Sequence, residues 1–329
     1  MDFALILLIF LAVVFDFING VHDSSNIVAT MITSRAFHPR VALGVTAIAH
    51  FVAPFMFGVA VATTIGADIV DASEINDAVI IAALLSAITW NLATWYFGLP
   101  SSSSHALIGG LVGAVLIAGG TGAIYNEGLI TVLLALILSP IIGFLLGFFF
   151  TKLVLFLSRG ATPRINWFFK RSQLITAITL AFSHGTNDAQ KTMGIITLGL
   201  VTSGIIETFY VPLWVVTISA TAIALGTAMG GWRLIKTLGA RFYKIKPMDA
   251  FNSQVASTTV ILGASFIGGP VSTTQVVSSS IMGVGSAERL SKVRWGVAGD
   301  LAIAWLITLP LTALLAAGIY WIIVQLSLL

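Results

Sequence analysis

A chain of 329 residues that is 57% hydrophobic and only 9% charged is not a soluble domain, since those carry about 25% charged residues. Its mean hydropathy of +1.02 makes it a polytopic membrane protein, and the absence of cysteine excludes disulfides, thiolate metal sites and cysteine nucleophiles. The net charge of +3 decides little, because the placement of charge governs a membrane protein more than its sum.

The first apolar segment is 2–33, and the opening stretch Met1 to Val14 holds one Asp and no Lys or Arg. That is not the basic start of a cleaved signal peptide, so the segment is expected to remain as a helix. A polar motif from Phe15 to Asn26 is expected to interrupt it, with Asp23 three residues after Gly20. An ionisable group at membrane depth costs about 2.5–3.5 kcal/mol, so it signals function by default. Asp16 and Asn19 lie ahead of the motif, where the lining of a cavity would fall, but the pattern assigns neither a role. Segment 41–65 returns outward, and His50 within it reads as a satisfied interior group. Segment 78–120 enters and comes back out through a polar turn around Pro100. Segment 128–157 runs inward to a basic stretch, Arg159 to Arg171. Segment 172–202 runs outward and is again expected to break at a polar motif, Phe182 to Lys191, with Asp188 three residues after Gly185. Segment 208–230 runs inward. Segment 251–285 leaves and returns around Pro270, and segment 295–328 ends outside. About 20 apolar residues span a bilayer, so the longest segments must tilt, kink or contain extra turns.

This threading follows from the basic clusters at Arg35 to Arg40, Arg159 to Arg171, Arg233 to Lys246 and Arg289 to Arg294. The positive-inside rule places all four in the cytoplasm and both termini outside. A prokaryotic inner membrane is the expected location. The two halves then repeat with opposite orientation: residues 1–158 form the first repeat, 159–171 a cytoplasmic connector and 172–329 the second repeat. Three spacings support the repeat. Pro100 and Pro270 are 170 positions apart, as are Pro140 and Pro310, and Asp23 and Asp188 are 165 apart. The expected fold is all-α, with inverted-topology repeats, broken helices and two re-entrant helical hairpins. Such repeats characterise secondary transporters, whose substrates bind at the repeat interface.

The polar turns supply the chemistry. In the 170 register Ser102, Ser103 and Ser104 match Ser272, Thr273 and Thr274, and His105 matches Gln275. Each hydroxyl run precedes a glycine-containing apolar stretch and reads as the start of a helix. Glycines 109, 110 and 113 there suit close helix packing. A helix start offers free N–H donors and partial positive charge, which suits an anion. Ser and Thr hydroxyls can cap the helix or donate to oxyanion oxygens. Neither hairpin carries Lys or Arg, so dipoles or co-bound cations must offset the anion. Carboxylate, amide and carbonyl oxygens suit hard cations, which makes Asp23 and Asp188 natural cation ligands. An ionised carboxylate only accepts hydrogen bonds. An Asp facing the anion therefore favours phosphate, which keeps a P–OH donor near neutral pH, over sulfate, which has none.

The residues Gly20 to Asn26 and Gly185 to Lys191 resemble the paired Gly-Ala-Asn-Asp-Val-Ala-Asn signatures of the PiT-type inorganic phosphate transporters. Pro270 to Gln275 and Pro100 to His105 are similar to that family's Pro-Val-Ser-Thr-Thr hairpins. The resemblance covers nearly the whole chain and implies symport of inorganic phosphate with Na⁺ or H⁺. It implies cation binding, Na⁺ included, by Asp23, Asn26, Asn187 and Asp188. It implies phosphate binding by Asp23, Asp188, Ser102, Ser103, Ser104, Ser272, Thr273 and Thr274. His22, His105, Lys191 and Gln275 are candidates for supporting roles. Two departures stand out: His22 replaces the Asn before the first Asp, and Lys191 replaces the last Asn of the second signature. A protonated Lys cannot ligate Na⁺; it either neutralises Asp188 or snorkels toward the cytoplasm. Either way one cation site is in question, which opens fewer Na⁺, or H⁺ coupling with His22 taking part, as expectations for this chain.

Plainer readings stand beside these. The aspartates could be a structural pair holding a helix break, the hydroxyls simple caps, and His22 and His184 structural hydrogen-bond partners. A sulfate or other oxyanion permease of the same fold is the alternative within the class. An intramembrane hydrolase using Asp23 and Asp188, or Ser104 with His105, is the alternative outside it; aspartyl catalysis needs carboxyls close enough to share a proton. A passive channel is a third. No Walker-type loop is present, so ATP hydrolysis is not expected. The expected partners are phosphate, a coupling cation and the lipid bilayer, with no cofactor beyond the co-transported ion. Nucleic acid is not among them, and a homo-oligomer stays open.

Overall fold

The computed structural model describes residues 3–235 and 242–326, so residues 236–241 of the basic loop 233–246 lie outside the described residues. The main helices are α1 (Phe3–Thr33), α2 (Pro39–Met56), α3 (Ala60–Ala67), α4 (Asp77–Phe97), α5 (Ser103–Ala118) and α6 (Asn126–Leu157) in the first half. The second half holds α7 (Ile165–Thr202), α8 (Leu213–Met229), α9 (Pro247–Phe266), α10 (Thr273–Glu288) and α11 (Trp295–Gln325). Helices α1, α2, α4, α6 and α11 are long and apolar enough to cross a membrane. Helix α7 starts at Ile165, so the second half of the expected connector forms its first turns.

The breaks expected inside segments 2–33 and 172–202 are absent: α1 and α7 run unbroken through both polar motifs. The hydroxyls in the motifs bond back onto their own helix instead of opening it. Ser24 and Ser25 donate to Val21 O and His22 O, each at 2.7 Å. Ser183 and Thr186 donate to Leu180 O and Phe182 O, each at 2.8 Å. Such back-bonding satisfies Ser and Thr without breaking the ladder. The motif glycines serve close approach. A Cβ on Gly20 would overlap the Ile223 carbonyl of α8, and one on Gly185 would sit 2.9 Å from His50 Cα of α2.

The turns at Pro100 and Pro270 are genuine. Gly98, at φ +66, ends α4 in the left-handed region, where an L side chain is strained. Gly268, at φ +75, does the same after α9. Extended residues then lead to Ser102 and Ser272, which cap α5 and α10. Helix α5 packs on α11, and α10 packs on α6, so each returning limb docks on the last helix of the other half. Gly113 and Gly283 seat these contacts, against the carbonyls of Ala313 and Phe144. Pro140 and Pro310 lie within α6 and α11. Both helices turn large apolar side chains outward, including Ile137, Ile141, Leu145, Leu306, Leu314 and Trp321, as a lipid-facing surface requires.

The core has two apolar clusters, one at each end of α1 and α7. The first takes Leu5 to Phe15 of α1 and Ala189 to Leu200 of α7, with parts of α3, α4 and α5. The second takes Ile27 to Met31 of α1 and Ala177 to Ala181 of α7, with parts of α2, α9 and α10. Between them both helices carry a polar belt, Asp16 to Asn26 and Ser183 to Asp188, that is almost wholly buried. The hairpin tips point into this belt.

Candidate functional site

The two tips meet each other and the two aspartates. Ser102 Oγ accepts from His105 N–H at 3.1 Å, and Ser272 Oγ accepts from Gln275 N–H at 3.4 Å, so both limbs begin with a serine cap. The His105 ring Nδ1 also bonds Ser102 Oγ at 2.7 Å and lies 3.4 Å from Gln275 Nε2. His105 and Gln275, matched at 170 residues in sequence, thus touch across the halves. Ser104 Oγ donates to Val271 O at 2.9 Å, which ties one tip to the other.

The aspartates sit at this junction with different surroundings. Asp23 Oδ1 accepts from Asn26 Nδ2 at 2.6 Å and from Thr274 Oγ1 at 3.0 Å. Asn26 also reaches Thr274 Oγ1 at 3.0 Å, closing a triangle between α1 and α10. Asp23 Oδ2 is buried and has no partner among the described residues. Asp188 has both oxygens engaged. Lys191 Nζ donates to its Oδ1, and Thr273 Oγ1 and His184 Nδ1 each lie 3.1 Å from its Oδ2. Lys191 also donates to Val271 O at 2.9 Å, so a buried ammonium joins α7 to the second hairpin tip. Helical spacing explains this, because residues three and four apart share a face, which stacks His184, Asp188 and Lys191. One ligand atom each from Asp23, His184 and Asp188 lies within 4.8 Å of the others, a spacing that suits a shared cation.

Most of the residues singled out from sequence therefore converge: Asp23, Asn26, Ser102, Ser104, His105, Asp188, Lys191, Ser272, Thr273, Thr274 and Gln275. Ser103, in the first turn of α5, is buried and makes no side-chain hydrogen bond among the described residues. Asn187 points elsewhere, donating to Ser265 Oγ at 2.9 Å and to Gly269 O at 3.2 Å, and so braces the approach to the second tip. His22 is buried against α4 near Asn91, and its Nε2 has no partner among the described residues. His50 bonds Thr227 Oγ1 at 2.7 Å and stacks on His184 with ring centroids 6.0 Å apart. Sequence reasoning missed one feature. Asp16 and Asn19 are fully buried, and every polar side-chain atom of both lacks a partner among the described residues. Their spacing of three from each other, and of seven and four from Asp23, was the available signal.

In charge, the junction holds two carboxylates and one ammonium. The first turns of α5 and α10 add free amide donors, because the first four N–H groups of a helix have no intrahelical acceptor. Such a site offers dipoles and hydroxyls to an anion, yet with both aspartates ionised its side chains sum to minus one. A second negative charge about 5 Å from the first costs about 3 kcal/mol at an effective dielectric of 20. A cation or a proton beside the carboxylates would offset that cost.

Comparison with known proteins gives a consistent picture. Residues 19–316 match the pattern of the family described as "Phosphate transporter family". A Bacillus subtilis protein named "Probable low-affinity inorganic phosphate transporter" is 46% identical over 322 residues, covering 97% of this chain and 96% of that protein. A Rhizobium meliloti protein of the same name is 44% identical, with 95% of each chain covered. Among solved structures, one titled "The sodium-dependent phosphate transporter" superposes with a TM-score of 0.88 at 24% identity, covering 98% of this chain and all of that one.

Proposed function

The chain belongs to the phosphate transporter family, and from that premise we propose that it imports inorganic phosphate by symport with Na⁺ or H⁺, through alternating access around the junction of the hairpin tips. The relatives are transporters, so the hydrolase alternative falls away. The observation that carries the coupling is the charge balance. Two capped helix starts, with Ser103, Thr273 and Thr274 beside them, invite an oxyanion, while Asp23 and Asp188 leave it short of positive charge. The titled sodium dependence of the structural relative supports the same reading.

In this reading the aspartates have separate tasks. Asp188 is held by Lys191, His184 and Thr273 and organises the second tip. The ammonium of Lys191 stands where a co-bound cation would otherwise neutralise that carboxylate. Asp23 keeps an open oxygen, Oδ2, to accept the P–OH of phosphate or to ligate a cation. That oxygen selects phosphate over sulfate, which has no proton to offer. Asn26 and Thr274 fix the Asp23 rotamer. The exchange of packing between halves, α5 on α11 and α10 on α6, supports an inverted repeat in which one bundle rocks against the other. The basic stretches support a topology with both termini outside.

The test is uptake into proteoliposomes by Asp23→Asn and Asp188→Asn. Both should lose concentrative phosphate uptake, and Asp23→Asn should also lose discrimination against sulfate. Wild-type uptake in both variants would overturn the assignment.

A further inference from the structure

Asp16 is a carboxylate with 0% exposure and, among the described residues, no hydrogen bond to either oxygen. Asn19, one turn on along the same face of α1, is equally buried, and both its Nδ2 and its Oδ1 lack partners among those residues. Across the interface, Thr192 of α7 lies beside Asp16, and its hydroxyl too has no hydrogen-bond partner among the described residues. Native proteins leave few buried polar atoms unpaired, and each one calls for an explanation. An unpaired carboxylate is the costliest of them to bury. Five such atoms, on one face of α1 and on Thr192 beside it, mark a place built for something absent from the protein itself.

We propose that Asp16, Asn19 and Thr192 form a second site, for one monovalent coupling cation, Na⁺ or H⁺, separate from the phosphate junction. The proposal rests on the symport reading above and deepens it. The donor set is chemically apt: two carboxylate oxygens, one carboxamide oxygen and one hydroxyl are hard ligands, and a carboxylate alone can take a proton. The charged groups that Asp16 senses are Asp188 and Lys191 on α7 and Asp23 on α1. Lys191 is not bonded to Asp16, because that ammonium donates to Asp188 and Val271 O.

Position gives the site its role. Asp16, Asn19, Asp23 and Asn26 follow one another at spacings of three, four and three, which places them on one face of α1. Seven residues of helix put Asp16 about 10 Å from Asp23 along that face. With the N-terminus outside, Asp16 lies on the outer side of the phosphate junction, where an entering cation arrives first. The chain has filled the cation position beside Asp188 with its own lysine. A cation held at Asp16 restores a dischargeable positive partner a short way along the same stripe.

The test is the coupling ratio of reconstituted full-length protein, read from the cation gradient that just stops net phosphate flux. Separate arms impose Na⁺ and H⁺ gradients. Wild type should respond to one of the two cations, and Asp16→Asn should move one fewer of that cation per phosphate, with Asp16→Glu restoring the ratio. If the cation is H⁺, infrared difference spectra after a pH jump should show a buried carboxyl C=O band that Asp16→Asn lacks. Should Asp16→Asn fail to fold, Asn19→Ala gives a second reading: a cation affinity at least tenfold weaker. An unchanged ratio in Asp16→Asn, or unchanged cation affinity in Asn19→Ala, overturns the proposal. If wild type itself responds to neither gradient, the symport reading fails first, so the two failures are told apart.

Discussion

Replacing Lys191 by Asn, the residue at that place in the family signature, removes an ammonium from a carboxylate that has no access to water. Asp188 keeps its contacts to His184 and Thr273 at 3.1 Å, but loses the only ammonium bonded to it among the described residues. Removing one partner of a buried ion pair costs about 3–5 kcal/mol. At about 1.36 kcal/mol per decade, that corresponds to about 10²- to 10⁴-fold. The site can recover this by admitting a small cation, which Asn would help to ligate. In a medium whose only bulk cation is choline, phosphate binding by Lys191→Asn should therefore weaken by roughly 10²-fold or more. Added Na⁺ should restore it, and the apparent affinity should depend on one more cation than in wild type. Isothermal titration of phosphate into detergent-solubilised protein, over a series of Na⁺ concentrations, reads both quantities. Phosphate affinity and cation dependence both equal to wild type would refute the reasoning that Lys191 takes a cation's place.

Removing both caps, in Ser102→Ala with Ser272→Ala, should cost about 0.5–2 kcal/mol for each helix start and weaken phosphate binding more than global stability, as seen by titration beside a thermal melt. Gly113→Leu should prevent stable folding, since its side chain would drive α5 off the Ala313 carbonyl of α11; gel filtration after detergent extraction reads the result. Lys292 Nζ lies 3.0 Å from Asp249 and 2.9 Å from Glu288, joining the end of α10 to the start of α9. Lys292→Met leaves the buried Asp249 without that partner and should lower the thermal midpoint by an amount worth about 1–3 kcal/mol.

The site was legible wherever chemistry and repeat spacing coincided. The 170-residue register paired His105 with Gln275, and the structure brings them within 3.4 Å. It paired the hydroxyl runs, and Ser102 and Ser272 both emerge as caps. The continuity of α1 and α7 was not legible. A polar run after a glycine looks the same whether the helix breaks or its hydroxyls bond back to the preceding turn. Packing of Gly20 on α8 and Gly185 on α2 decides for the second. The direction of Asn187 was hidden for a related reason. In an unbroken helix it lies 100° from Asp188 and so faces Ser265 and Gly269 instead of the anion. The partner of Lys191 was readable only as a possibility, because its spacing of three from Asp188 places it on the right face but does not show that it is buried. Asp16 stayed mute because its meaning lies in the absence of partners, which only three-dimensional packing reveals.

The central claim is that cation entry drives phosphate through this junction. The most direct measurement is phosphate uptake by reconstituted wild-type protein under imposed Na⁺ and H⁺ gradients, with sulfate as competitor. The account predicts uphill accumulation with one of these gradients and little inhibition by equal sulfate. Uptake that proceeds unchanged without either gradient, or sulfate competing as well as phosphate, would contradict it.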